Sequence, residues 1–273
     1  MNPTYWKKQL KPLFENLTWN IPEQKQGTIA LIGGNSQHFH TIERTASHLA
    51  NKFPLKTIEI ILPDSLEHKL PPLDNIHFLP STTSGSFANS ARFTNYGSAS
   101  SNAENTPVTA PPDAIILIGD FSKNSETTTA IAKLIQHTSI PIYLTRDTID
   151  IATDDATSWI EQNNINLIAS LAQLQKLFKS VYFPKMLLLS QPLLPVIEAL
   201  HKFTLSYPCC ITTFHEGQII TAYDGNIVTT PIKNTSSTPI SLWSGTLAAN
   251  ITALNLYNPG KTLQASAAAI VDG

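Results

Sequence analysis

The sequence predicts an α/β protein: a central, mostly parallel sheet, helices on both faces, and an antiparallel edge near residues 209 to 228. Three observations carry that expectation. Residues 27 to 62 run strand, glycine turn, helix, strand, the order of a βαβ unit. Residues 113 to 120 and 141 to 147 are apolar runs that each end in a turn, with a helical stretch between them. Residues 209 to 223 hold two further strands, and Asp224-Gly225 is a hairpin signal before Ile227-Val228.

Length and charge set the outer limits. A chain of 273 residues can bury a full core, and one domain is expected. A net charge of −2 argues against a nucleic-acid or anionic-membrane partner. Lys7, Lys8 and Lys11 are not followed by an apolar stretch of the signal-peptide kind. Leu187 to Leu194 is too short to cross a bilayer and contains Gln191 and Pro192. The two cysteines, Cys209 and Cys210, are adjacent and form neither a disulfide framework nor a zinc spacing. A reducing, cytoplasmic setting is the expectation.

Taken in order, residues 1 to 26 read as a helical lead-in, with Trp6, Leu10, Leu13, Phe14 and Leu17 on one face. The βαβ unit follows. Its strand 27 to 32 ends at Gly33, Gly34, Asn35 and Ser36, and its helix places Ile42, Ala46, Leu49 and Ala50 on one face. Ligands in such sheets sit at the carboxyl ends of strands, which puts that turn at a potential site. Residues 81 to 112 are rich in Ser, Thr, Asn and Pro and read as a long exposed loop, either a lid or a solvated insertion. Asp120 and Asp147 fall at the carboxyl ends of neighbouring strands, where two carboxylates could serve acid/base or metal chemistry. As ordinary structure, Asp147 would cap a turn and Asp120 would be solvated. Near the end, Ser244 reads as the N-cap of a helix with Leu247, Ile251 and Leu254 inward. No Glu or Gln closes a capping box there, so its first-turn amides are open to an anion. Gly245→Pro is compatible with a first helical turn on this reading. A last helix carries Leu263, Ala267 and Ile270.

The order of these pieces resembles the ribokinase-like three-layer α/β/α fold, and more closely the ADP- or ATP-dependent NAD(P)H-hydrate dehydratases, from about Gly27 to Val271. The resemblance rests on Ile32-Gly-Gly-Asn-Ser36, on Asp113 to Gly119, on Phe214-His-Glu-Gly217 with Tyr223-Asp-Gly225, and on Ser244 to Ile251. It implies a lyase that restores hydrated NADH or NADPH, driven by ADP or ATP with Mg2+. It implies substrate contacts at Gly34, Asn35, Ser36 and His40. Nucleotide or anion contacts would fall at His215, Glu216, Gly217, Ser244, Gly245 and Thr246. No metal ligand is assigned, and homo-oligomerisation is left open.

The motifs depart from the family's. Its carboxylate on the first helical turn falls at Gly245. Its Glu after the fifth parallel strand falls at Gln173. Its D-A-D is Thr145-Arg-Asp147 here, leaving Asp147 as the nearest surviving base. Its glycine-rich turn is Gly119-Asp-Phe-Ser-Lys123, and His38, Phe39 and His40 are expected to crowd the pocket. Two functions therefore stand: the dehydratase, and a relative that binds a nucleotide or a protein without turnover. A small-molecule kinase is a weaker third, since fold alone does not fix function.

Overall fold

The computed structural model describes residues 3–8, 21–70, 75–96, 111–232 and 243–269. In chain order the strands are β1 (Trp6–Lys8), β2 (Thr28–Gly33), β3 (Thr57–Pro63), β4 (Ile76–Leu79), β5 (Ala114–Gly119), β6 (Ile142–Thr145), β7 (Ile165–Ile168), β8 (Cys210–His215), β9 (Gln218–Tyr223) and β10 (Asn226–Pro231). The α-helices are α1 (His40–Lys52), α2 (Ala91–Thr94), α3 (Ser125–His137), α4 (Asp147–Ala152), α5 (Leu171–Ser180), α6 (Leu193–Ser206), α7 (Thr246–Tyr257) and α8 (Thr262–Ala268).

All ten strands form one sheet in the order β1-β10-β9-β8-β7-β6-β5-β2-β3-β4. Among the described strands only β9 runs against the rest, paired antiparallel with β8 and β10. Both of its turns, Glu216-Gly217 and Asp224-Gly225, have positive φ at both residues. That is the type I′ geometry which matches the twist of paired strands. The middle strands β2, β5, β6 and β7 are almost wholly buried, as expected for parallel strands covered on both faces. One apolar layer lies between the sheet and α3 to α6, with Trp159, Phe178 and Phe203 at its centre. The other lies under α1, α7 and α8, with Ile29, Leu31, Ile116 and Ile118 from the strands. Helix α7 is buried on nearly all sides, because α1 and α8 flank it above the sheet. Among the described residues no helix is long and apolar enough to cross a membrane.

Chain direction sets where a ligand could go. From β2 the chain moves outward through β3 to β4, whereas β5 to β8 step the other way. The crevice at the carboxyl ends of β2 and β5 is thus the topological switch point.

Three expectations change. Trp6 is not on a helix: Trp6–Lys8 pairs in parallel with Ile227–Thr229, and the Trp6 indole donates to Thr229 Oγ1 at 3.0 Å. Residues 9–20 of the expected lead-in lie outside the described residues. Residues 81–96 are not an exposed loop. Ser81 bridges Phe87, α2 follows, and the Phe87 and Phe93 rings stack fully buried at 4.6 Å. Two aromatics anchor an otherwise polar stretch, an effect that composition averages away. Residues 97–110 lie outside the described residues, as does Ile270. Finally, Ala50 is exposed, and Thr45 takes its place with Ile42 and Leu49 on the inner face of α1.

Candidate functional site

The residues at the switch point are bound to one another. In the β2 turn, the Gly34 amide donates to the Gly119 carbonyl at 2.9 Å, and the Asn35 side chain donates to the Asp120 carbonyl at 2.7 Å. Asn35 Oδ1 also accepts the amides of Gln37 and His38, which fixes the turn. Ser36 donates its amide to Gly85 and accepts from Lys69 through its carbonyl. His38 and His40 are exposed, and His40 meets Glu43 at 3.4 Å and the Phe39 ring at 4.7 Å between ring centres. The two imidazoles therefore do not crowd the pocket. The Gly34 turn is packed instead by the His38 main chain and Phe39 Cβ.

Asp120 and Asp147 are brought together, as their neighbouring strands predict, but each is already engaged. Asp147 Oδ1 accepts the Asp120 amide at 3.0 Å, and Oδ2 accepts the Phe121 amide at 3.2 Å. Burial raises the Asp147 carboxyl above its usual range, against the opposing pull of the Asp120 amide and the Arg146 charge. Asp120 is not simply solvated: its Oδ1 pairs with Arg146 Nη2 at 2.7 Å. Arg146 Nη1 donates to the Ile118 carbonyl at 3.3 Å. Both Asp120 and Arg146 hold positive φ, 61° and 56°, backbone states uncommon outside glycine. Gly119, just before Asp120, has to lack a Cβ, because that atom would overlap Asp147 Oδ1. The β5 and β6 turns thus form a reciprocal clasp, each holding the other's charged group.

Gln173 extends the clasp. Ser170 and Gln173 make a capping box on α5. The Gln173 amide then donates to the Arg146 carbonyl at 2.6 Å and to Asp150 Oδ2 at 2.8 Å. Burial would raise the Asp150 carboxyl, but bonds from Lys176 and Gln173 outweigh it and hold the group below its usual range. A glutamate at 173 could keep the box but could not donate. Gln173→Glu is therefore expected to cost about 2 to 3 kcal/mol, from two lost bonds and an added like charge, and to lower Tm by about 5 to 10 °C. Differential scanning calorimetry reads this; an unchanged Tm would mean that the two bonds do not hold the Arg146 turn.

The start of α7 differs from the sequence expectation. Gly245, not Ser244, is the N-cap, with φ 81° and ψ −6° and no side-chain cap. Proline cannot adopt that φ, so Gly245→Pro would distort the helix start and would not test an anion site cleanly. A Cβ on Gly245 would stand 2.5 Å from Ile118 Cδ1 and 2.8 Å from Thr45 Oγ1. Ser244 Oγ and Thr246 Oγ1 lie 3.0 Å apart beside it.

Next to this helix start is a cavity of about 340 Å³, lined by Arg146, Ile168, Ser170, Leu171, Gln173, Phe214 and Trp243. The Arg146 guanidinium lies 5.7 Å from the Trp243 ring centre, and its buried Nε–H has no hydrogen-bond partner. Sequence reading missed Trp243 and Arg146 here. A basic residue at the Arg146 position was visible; its burial was not.

The hairpin residues serve elsewhere. His215 Nε2 donates to the Gln191 carbonyl at 2.6 Å, and Glu216 Oε2 accepts the Leu193 amide at 3.0 Å. Gly217 accepts the Ile232 amide through its carbonyl. Each of these bonds braces the chain around the hairpin.

No protein-family profile matches the chain, and no curated protein sequence does. Solved structures do. A ribokinase-like superfamily protein from Enterococcus faecalis superposes with a TM-score of 0.67 at 13% identity, covering 99% of this chain and 87% of that one. The fold is ribokinase-like. A protein from Streptococcus mutans gives 0.63 at 14% identity, covering 96% and 83%. An ADP/ATP-dependent NAD(P)H-hydrate dehydratase from Bacillus subtilis, co-crystallised with ATP and Mg2+ and soaked with CoA, gives 0.56 at 12%, covering 90% and 79%. Among the described residues of this ribokinase-like chain, no group of three His, Cys, Asp or Glu is placed to hold a metal. Asp120 and Asp147, the two carboxylates of the crevice, are engaged by Arg146 and by backbone amides. The described residues of the crevice therefore offer no free carboxylate for Mg2+.

Proposed function

We infer that this chain binds ADP or ATP at the α7 end of the crevice and has little or no NAD(P)H-hydrate dehydratase turnover. The observation that carries this reading is Gly245. The family it resembles has a carboxylate there; here the position is a left-handed glycine whose side-chain space is filled by Ile118 and Thr45. Proton abstraction needs a base within hydrogen-bond reach of the substrate. Asp147, the nearest remaining acid, has both oxygens on the amides of the β5 turn. Binding asks less. A helix N-terminus without a side-chain cap favours an anion through its dipole, and α7 presents one beside the Trp243 cavity. A structural neighbour crystallised with ATP supports the ligand class.

Thermal shift separates binding from chemistry. Nucleotide at about a hundred times its Kd adds roughly 2.7 kcal/mol, a rise of about 5 to 10 °C for a chain near this size. The expected result is that shift with ADP or ATP and no NADH formed from its hydrate. Absence of any shift would overturn the nucleotide assignment. Efficient conversion of the hydrate would overturn the loss of turnover and make Asp147 the residue to replace first.

A further inference from the structure

A second cavity, of about 330 Å³, lies at the amino-terminal edge of the sheet, away from the crevice. Its wall is made where β5, β6 and β7 begin, where β9 ends, and where α7 gives way to α8. Tyr143, Asn166 and Cys210 follow one another in register across β6, β7 and β8. Tyr223 comes next on β9, one place beyond the Ile211–Ala222 pair. Residues in register share one face of a sheet. Here it is the face under α7 and α8, where Tyr143 packs and where the Cys210 thiol lies 3.9 Å from Ser266 Oγ. A row of phenol, amide, thiol and phenol thus interrupts an apolar layer.

Asn166 is the informative member of the row. It lines the cavity, is 8% exposed, and its Oδ1 has no hydrogen-bond partner among the described residues. Its amide nitrogen donates to the Asn164 carbonyl at 3.4 Å, which sets the orientation of the group: turned over, two oxygens would face each other. Asparagine is depleted in strands, and an unpaired buried acceptor costs stability. Asn164 and Asn255 line the same cavity, and their side chains bond within the chain through Nδ2. Asn164 donates to the Thr138 and Ile140 carbonyls, and Asn255 donates to the Ile251 carbonyl and Ser266 Oγ. Asp113 stands at the exposed end, with Oδ2 on the Thr28 amide. Burial, and after it the Cys210 thiol, hold the Tyr143 phenol well above its usual range, so it stays neutral. The wall therefore carries three amide oxygens and one carboxylate, and among the described residues no Lys, Arg or His lines it.

We propose that this cavity binds a small organic amine, its ammonium donating to Asn166 Oδ1 and its body against Leu256 and Pro259. An ammonium has three donors and no acceptor, which suits a wall of oxygens. Asp113 supplies the opposite charge that a cation leaving water requires. An anion would meet Asp113 and no cation. An alcohol brings one donor and two lone pairs, so it matches this wall less well. The volume is at the small end for ligand cavities. The cavity shares no lining residue with the one beside Trp243, so the proposal stands apart from the nucleotide reading.

Isothermal titration of the full chain with phenethylamine tests it, with phenylethanol and phenylacetate as the uncharged and anionic counterparts of similar shape. The amine is expected to bind with a Kd on the order of 0.1 mM. The alcohol is expected to bind about tenfold more weakly or worse, and the carboxylate not at all. Asn166→Leu removes the unpaired oxygen at similar size. It is expected to weaken the amine by about ten- to a hundredfold, with Tm unchanged or raised. If that variant does not fold, Asp113→Asn, at an exposed position and with an oxygen still available to the Thr28 amide, is expected to weaken the amine by about tenfold. No binding of the amine by the unmodified protein would overturn the proposal. Equal or tighter binding of the alcohol or the carboxylate would overturn the ammonium assignment. Full amine affinity in Asn166→Leu or in Asp113→Asn would overturn the site.

Discussion

Gly245→Asp is expected to lose about 3 kcal/mol of stability and to gain no dehydratase activity. Two costs add. An L-residue at the left-handed φ of position 245 costs roughly 1 to 2 kcal/mol. The new Cβ, 2.5 Å from Ile118 Cδ1, forces a buried side chain to move, and overpacking of that kind costs about 1 to 3 kcal/mol. In calorimetry this is a fall of about 10 °C. Gly245→Ala separates the causes, because it has the same φ and the same Cβ without a carboxylate. Similar Tm values for Ala and Asp would locate the damage in the backbone and in Ile118. A Gly245→Asp protein as stable as the unmodified one, or able to turn over hydrated NADH, would show that the helix start can relax. Resemblance would then be the better guide to function.

Arg146→Ala is expected to cost about 3 kcal/mol, the low end of the range for removing one partner of a buried ion pair, because the Asp120 side chain keeps 16% exposure. The Asp120 carboxylate would lose its cation, and the Ile118 carbonyl would lose a donor. Adding Asp120→Ala should recover part of the loss, since the double variant buries no unpaired charge. Chemical denaturation of the two single variants and the double gives the coupling energy directly. A coupling near zero would mean that the two strained turns hold without their ion pair. Arg146→Lys is not expected to substitute, because an ammonium cannot reach Asp120 and the Ile118 carbonyl with the same planar fork.

How far the sequence could be read follows from what kind of signal each part carries. Strands β2, β3, β5 and β6 are each centred on apolar residues, six-residue runs in β2 and β5, and that pattern needs no partner to be visible. The β9–β10 hairpin announces itself through Asp224-Gly225, because few residue pairs accept positive φ at both positions. Three-residue β1 has no such signature: Trp6 is its one apolar residue, and its pairing depends on residues more than two hundred positions away. Phe87 and Phe93 are single aromatics in a polar stretch, so no period marks them. At the site, Asp120 and Asp147 could be placed at strand ends. That one would pair with Arg146 and the other with two amides is a property of adjacent turns, which no one-dimensional pattern records. Gly245 could be recognised as a missing acid, but its left-handed conformation depends on where Ile118 and Thr45 come to rest.

The bond from Trp6 to Thr229 spans 223 residues. During synthesis the first of these is made long before the second exists. Among the described strands β1 pairs with β10 alone, so its partner is absent until residues 226–231 have been made. Contacts of such wide sequence separation form slowly, since the intervening chain must already be ordered for the meeting to be favourable. Until then β10 keeps an open row of backbone donors and acceptors, the kind of edge on which a second nascent chain can add a strand. The interval between completing β10 and recruiting β1 is thus a period in which this edge is open to misassembly, and the three residues of β1 close it.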